Sequence, residues 1–568
     1  MKKKILALFI TLIMVFGLVA ACDSPAEAPA AQEPVTPAEP APAPAPAPEP
    51  VEAETAEPVD YEDDVTFSYP MDAQDVTLSF FLFGGPRLHS TIASWEDSPF
   101  HSGLNKHVGV NIEWMEPPAG MESELSHLNL MIAGGDMPDI IFSHHTMSQA
   151  ELLIADGVIL DLTPYIQEHA PAYYAFLQAD SRRDRAFRTD SGQYYGFGFF
   201  REAGGWNDTF QGPLIRQDWL DELGLPSPKT ISDWDTTLRA FNKEYGATFI
   251  APWHRWQSMG ADRTSNICGA FGAYGGTAFR IHIRDGKAII PQLEPEWLDY
   301  ITQLSIWWND GLINQNMLSA DDAMVRSMAL NNEIGMAYSS MGQLSGWVND
   351  ALAEDTGSNW VGLQYPTGDD GTLVAVMGGT GIGGAATHIS AKINPDLIPI
   401  AMRILDYAYT PEGFLYWNFG TEGVSWNMEN GVPTFSDLLH NDPDGIHGAM
   451  EKYVGSVWNG PTIQATQVLI QRNNPASIEA NNTWYYPNAE VAEKWNLPRG
   501  MALNVQEQIR EGEIRGALAT YIEEMAIRFM TGAEPLSNFD NFVSTARGMG
   551  VDELLSLYQA AYDRFMAR

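Results

Sequence analysis

The stretch Pro252-Trp253-His254-Arg255-Trp256-Gln257 places two indoles around a cation and an amide. Such a set suits a ligand with C–H faces and a hydroxylated rim, because rings cover the faces and planar hydrogen-bonding groups meet the rim. Similar chemistry recurs at points where the chain leaves regular structure. Arg87 follows Gly84-Gly85, and His144-His145 follows the apolar run Ile140-Ile141-Phe142. Arg201 and Trp206 lie in a loop-like stretch, Gln343 follows Tyr338-Ser339-Ser340, and Trp426 lies beyond a glycine-rich loop. Arg87, His144, His145, Arg201, Trp206, Trp253, Arg255, Trp256, Gln343 and Trp426 are therefore the candidate ligand contacts. Two adjacent imidazoles without a third ligand do not make a metal site, and none is expected. No nucleophile elbow, zinc-protease helix or phosphate-cradling glycine loop occurs, so no catalytic residue or cofactor is expected. The 73 Asp and Glu side chains are too many to single out a glycosidase pair.

These side chains need elements to hold them. Leu125, Leu128, Met131 and Ile132 have helical spacing, and Gly134-Gly135 ends that helix because glycine enters the left-handed cap freely. Ile140-Ile141-Phe142 then reads as a strand buried on both faces, and ligands gather at the ends of such strands in open α/β sheets. Val76–Phe83 and Val108–Trp114 are further strands separated by helical stretches, which gives a parallel-rich α/β lobe. Gln193–Phe199 is an aromatic strand punctuated by glycines, a candidate crossover between lobes; Val374–Gly383 is a second. Trp219, Trp234, Trp307 and Trp308 are expected to pack in cores, while Trp484 is left open. Ile514, Leu518, Tyr521, Ile522, Met525 and Phe529, then Val551, Leu554, Tyr558, Tyr562 and Phe565, mark two amphipathic packing helices.

A chain of 568 residues exceeds one hydrophobic core, so at least two lobes are expected. The net charge of -41 argues against a nucleic-acid partner. Lys2-Lys3-Lys4 and the apolar run Ile5–Val19 read as an export signal over residues 1–21. It ends in Val19-Ala20-Ala21-Cys22, which resembles the bacterial lipobox and implies lipidation of Cys22. Residues 23–65 are nearly all Ala, Pro, Glu and Thr, a composition that cannot bury a core and serves as an extended, disordered tether.

The order of Gly135-Asp136-Met137-Pro138-Asp139-Ile140, Asp161-Leu162-Thr163-Pro164-Tyr165, Tyr195-Gly196-Phe197 and Arg216-Gln217-Asp218-Trp219-Leu220 resembles bacterial extracellular solute-binding proteins, in particular lipoproteins of carbohydrate ABC importers. Trp307–Ile313, Thr410-Pro411-Glu412-Gly413 and Gly420–Trp426 extend the resemblance, which covers residues 76 to 568. It implies an α/β, two-lobed periplasmic-binding-protein-like fold of type II, with ligand clamped between lobes joined by hinge crossovers. Mapped here, residues 76–195 and 375–440 make the first lobe, and 196–374 and 441–568 the second. The implied function is a monomeric, membrane-anchored receptor on the extracytoplasmic face that captures a neutral or acidic oligosaccharide and passes it to ABC permease transmembrane subunits. The alternatives are a surface glycoside hydrolase, or the same fold binding a peptide or other charged solute. Many relatives carry a calcium-loop-like insertion after the helix beginning near Ser232; Phe241–Thr248 lacks the oxygen ligands it needs, and calcium is not carried over.

Overall fold

The computed structural model describes residues 67–84, 91–116, 124–202, 205–251, 265–374, 381–485 and 495–568. The strands in chain order are β1 (Ala73–Phe81), β2 (Val110–Met115), β3 (Ile140–Ser143), β4 (Phe197–Arg201), β5 (Gln211–Arg216), β6 (Thr248–Ile250), β7 (His282–Arg284), β8 (Lys287–Ile289), β9 (Ile334–Ser340), β10 (Trp360–Gly362), β11 (Ile382–Ile389), β12 (Trp426–Glu429), β13 (Val432–Phe435) and β14 (Thr462–Gln464). They form a six-stranded sheet ordered β14-β4-β11-β3-β1-β2, a four-stranded sheet ordered β10-β5-β9-β6, and two hairpins, β7-β8 and β12-β13. In the larger sheet β11 alone runs antiparallel to its neighbours.

The burial pattern explains this order. Edge strand β2 alternates buried and exposed residues, whereas all of β3 is buried. Ile140 and Phe142 face the main core of the first lobe, and Ile141 joins Phe81, Leu128 and Met131 against the helix Glu124–Gly134. That helix ends as its glycines require: Gly135 has φ +73° and its N–H donates to Met131 O at 2.9 Å. Asp139 holds β3 to β1 by accepting from both the N–H and the hydroxyl of Ser79, at 2.9 and 2.8 Å.

The second lobe packs the smaller sheet among helices that include Ile231–Tyr245, Pro295–Asn309, Pro475–Trp484, Val505–Thr531 and Val551–Met566. The expected amphipathic faces of the last two are buried in this core, as are Trp219, Trp234 and Trp307; Trp308 packs at its margin. Trp484 is also a core residue. Its ring covers Gly212 of β5 so closely that a Cβ there would stand 2.4 Å from it, and its Nε1 donates to Pro213 O at 2.9 Å.

Two lobe boundaries need correction. Phe197–Arg201 was assigned to the second lobe but is β4 of the first sheet. Residues 441–464 were also assigned to the second lobe, yet β14 pairs in parallel with β4, so they complete the first. The chain thus crosses between lobes after β4, between β10 and β11, and after β14. These three strands of the first sheet lie side by side.

Candidate functional site

The crossovers meet in one hydrogen-bonded knot. Arg201, the last residue of β4, donates its N–H to Gly381 O at 2.8 Å and its Nη1 to Asp208 Oδ1 at 2.6 Å. The other oxygen of Asp208 accepts from Gly381 N at 2.9 Å, closing the ring between the first and second crossovers. Glu202 reaches the third crossover, its N–H donating to Gln464 O and its Oε2 accepting from Thr466 N. On the other side Trp206 Nε1 donates to Asn482 Oδ1 at 2.9 Å, on the second-lobe helix Pro475–Trp484. Arg201 and Trp206 are thus brought together at the hinge, and both keep partly exposed surface. Arg201 holds five donors and uses one of its side-chain N–H groups on Asp208, so donors remain for a ligand.

His144 stands at the carboxyl end of β3, on the edge that the first sheet turns toward the crossovers. Its N–H and Nδ1 both meet the buried Glu124 carboxylate, at 2.8 Å each. Burial pushes the Glu124 carboxyl up, but the hydrogen bonds and charge of His144 outweigh this and hold it below its ordinary value. The dyad fixes the ring with Nε2 outward, 3.5 Å from Asn459 Nδ2. His145 is exposed, and its N–H donates to Ser143 Oγ at 3.0 Å. By strand spacing, β3 and β4 lie about 10 Å apart across β11, so His144 and Arg201 stand apart on the same edge of the sheet.

One expected contact is structural instead, and a second has its oxygen committed elsewhere. Trp426 is 3% exposed, packs with Phe419, Phe435 and Leu439 in a small separate core, and donates its Nε1 to Gly420 O at 3.0 Å. Its ring therefore offers no platform to a ligand. Gln343 occupies the third position of the helix Met341–Ala353 and closes a capping box with Ser340, its Oε1 also accepting from Ser339. That oxygen is committed to the helix terminus. Arg87, Trp253, Arg255 and Trp256 lie outside the described residues. So do Cys22, the export segment and the tether.

Arg499 had no counterpart among the expected contacts. It is exposed by area, and its guanidinium lies against Gly384 of β11 beside the Arg201–Asp208 pair. Among the described residues no group of three or more His, Cys, Asp or Glu is arranged to hold a metal ion. The helix Ile231–Tyr245 is capped by Gly246 at φ +69°, and β6 begins at Thr248. A cavity of about 800 Å3 opens elsewhere, on the second lobe among Asp235, Asp299, Asp369 and Asp370. Four carboxylates in its lining repel anions, while Ile231, Phe271 and Ile306 give it an apolar wall; it lies within the second lobe, whereas the hinge region draws on both lobes.

Residues 89–413 match the sequence profile of the bacterial extracellular solute-binding protein family. The chain is 23% identical over 492 residues to lipoprotein LipO of Bacillus subtilis, spanning 82% of this chain and 90% of LipO. A shorter match, 28% over 144 residues, covers 24% of this chain and 26% of the fructooligosaccharide ABC transporter substrate-binding protein FusA of Streptococcus pneumoniae. The structure of FusA with kestose superposes at a TM-score of 0.65 and 18% identity, covering 86% of this chain and 99% of that one. Alginate-binding protein AlgQ2 superposes at 0.67 and 19%, covering 87% and 99%. The likeness to these structures establishes the two-lobed solute-binding fold that the family resemblance implied. The chain belongs to the bacterial extracellular solute-binding protein family.

Proposed function

We infer that this protein is the lipid-anchored substrate-binding component of a carbohydrate ABC importer. It captures an oligosaccharide by closing its lobes and delivers it to the permease. The observation that carries this reading is the hinge: three adjacent crossovers knotted by Arg201, Glu202 and Asp208, with the outward edge of His144 on one wall. Rotation about adjacent strands closes a cleft without disturbing either core, and closure withdraws the ligand from water. FusA and AlgQ2, whose names record a fructooligosaccharide and alginate, support a sugar as the ligand. Membrane attachment through Cys22 and a monomeric state belong to the same proposal, as does the absence of catalysis.

Calorimetric titration of the purified protein with a panel of bacterial and plant oligosaccharides tests the reading. Saturable binding with unchanged sugar recovered afterwards is expected. No binding across the panel, or release of reducing ends, would overturn it. Labelled palmitate should enter the wild-type chain in cells and not a Cys22→Ala variant.

A further inference from the structure

Arg499 is rooted in the second lobe. Leu497 and Met501 on either side pack into that lobe's core, and Tyr274 donates its hydroxyl to Asn496 Oδ1 at 2.6 Å. From this footing the side chain crosses to the first lobe, where Gly384 of β11 makes room for it. A Cβ at Gly384 would stand 3.1 Å from Arg499 Nη1 and 3.5 Å from Cζ, so the guanidinium lies along bare backbone.

Its surroundings are unusual for an arginine of this protein. Desolvation by the surrounding protein lowers its pKa; Asp208 acts against that shift and Arg201 with it. The side chain is exposed, at the line where the two lobes meet. The other described arginines engage a carboxylate, another acceptor, a ring or a further electrostatic partner. Arg499, among the described residues, has no hydrogen bond, ion pair or ring contact. Asp208 already pairs with Arg201, so among the described residues Arg499 has no carboxylate of its own. The protein as a whole, at -41, repels anions at long range, so a site for an anion needs its own local cation.

We propose that Arg499 reads a negative charge on the ligand, and that the captured oligosaccharide carries carboxylates, as a uronate chain does. This rests on the sugar-binding reading above and deepens it. The planar fork of a guanidinium matches a carboxylate through paired hydrogen bonds. Because Arg499 belongs to one lobe and lies against the other, a bound carboxylate is held where the lobes meet.

The test is calorimetric titration of the full chain and of Arg499→Gln with galacturonate and mannuronate oligomers, their neutral methyl esters, and sulfated galacto-oligosaccharides. Wild-type protein should bind at least one uronate series about 10- to 100-fold more tightly than its ester, the range expected for one charge-assisted pair. Arg499→Gln should remove that preference while ester affinity and thermal unfolding stay unchanged. Gly384→Val, which displaces the guanidinium without removing its charge, should also lose the preference. Equal affinity for acid and ester, tighter binding of the sulfated sugars, or an equal loss of acid and ester binding in Arg499→Gln overturns the proposal and leaves the sugar-binding reading standing. No binding of any sugar overturns both.

Discussion

Asp406 allows a sharp test of how burial sets charge in the first lobe. It is 1% exposed, on the helix Ile398–Tyr407, and its Oδ1 accepts from Tyr173 N at 2.7 Å. It thereby caps the helix Pro171–Gln178, whose own N-cap, Ala170, has no side chain to do so. Burial drives the carboxyl up to about 7 from an ordinary 3.8, and the N–H groups of Tyr173 and Ala172 recover only part of the shift. Between those values the native state keeps a proton that the unfolded chain has lost, so stability falls as pH rises from 3.8 through 7. The slope is about 1.4 kcal/mol per pH unit, which amounts to about 2 to 3 kcal/mol between pH 5 and pH 8. Asp406→Asn keeps the acceptor and cannot ionise. Whatever the substitution costs in itself is common to both pH values and cancels in the difference. Two cores need not unfold together, so the readout is amide exchange, corrected for intrinsic rates, in peptides covering residues 166–178. Relative to wild type, the variant should gain about 2 to 3 kcal/mol on going from pH 5 to pH 8. A difference that does not change with pH would refute the argument that desolvation outweighs the helix N-terminus at this site.

Other expectations are as specific. Asp190, in the first lobe, is held by Arg564 Nε at 2.8 Å and Arg568 Nη2 at 2.6 Å from the second, with little exposure at Asp190 or Arg568. Asp190→Ala should cost about 3 kcal/mol in chemical unfolding, since it strands the buried Arg568 cation. Removing the exposed partner of Arg547, as in Asp552→Ala, should change nothing measurable. Glu124→Gln should release the His144 ring and weaken ligand binding roughly tenfold in calorimetry, with a change of imidazole tautomer visible by nitrogen NMR. Buried His388, between Tyr195 O and Thr146 Oγ1, has its pKa lowered to about 4 from 6.5. Below pH 6.5 the unfolded state takes up the proton first, so stability falls with acid down to about 4. In urea titrations His388→Asn should lose about 1.4 kcal/mol less per pH unit over that window.

Where sequence reading succeeded, the physics was local. A continuous apolar run, a glycine pair after a helical stripe and two amphipathic C-terminal faces each specify their own burial, and Ile140–Phe142, Gly135 and the helices from Val505 onward follow. The capping role of Gln343 has a local signal, for Ser340-Met341-Gly342-Gln343 has the spacing of a capping box. The lobe boundary was lost at β14, because three residues are too few to show a period and their partner β4 lies far upstream. Trp426 was misplaced because a tryptophan after a loop looks the same whether it faces solvent or a small core. Glu124, Asp208 and Arg499 gave no sign. Each acquires its meaning from a partner brought near by the fold, not from its neighbours in sequence.

The adjacency of β14, β4 and β11 also orders the assembly of the molecule. Each lobe is drawn from separate stretches of chain, but they are completed at different times. Emerging amino terminus first, the chain finishes its first sheet when β14 appears, at residues 462–464. The second core must wait, since Trp484, Leu518, Phe529 and Leu554 all belong to it. Until Pro475 and beyond arrive, Gly212 and β10 lack their covering helix, leaving apolar strand surface bare. The first lobe is therefore the earlier-folding unit and the second the one that depends on shielding, by a holdase or by speed, during synthesis and export.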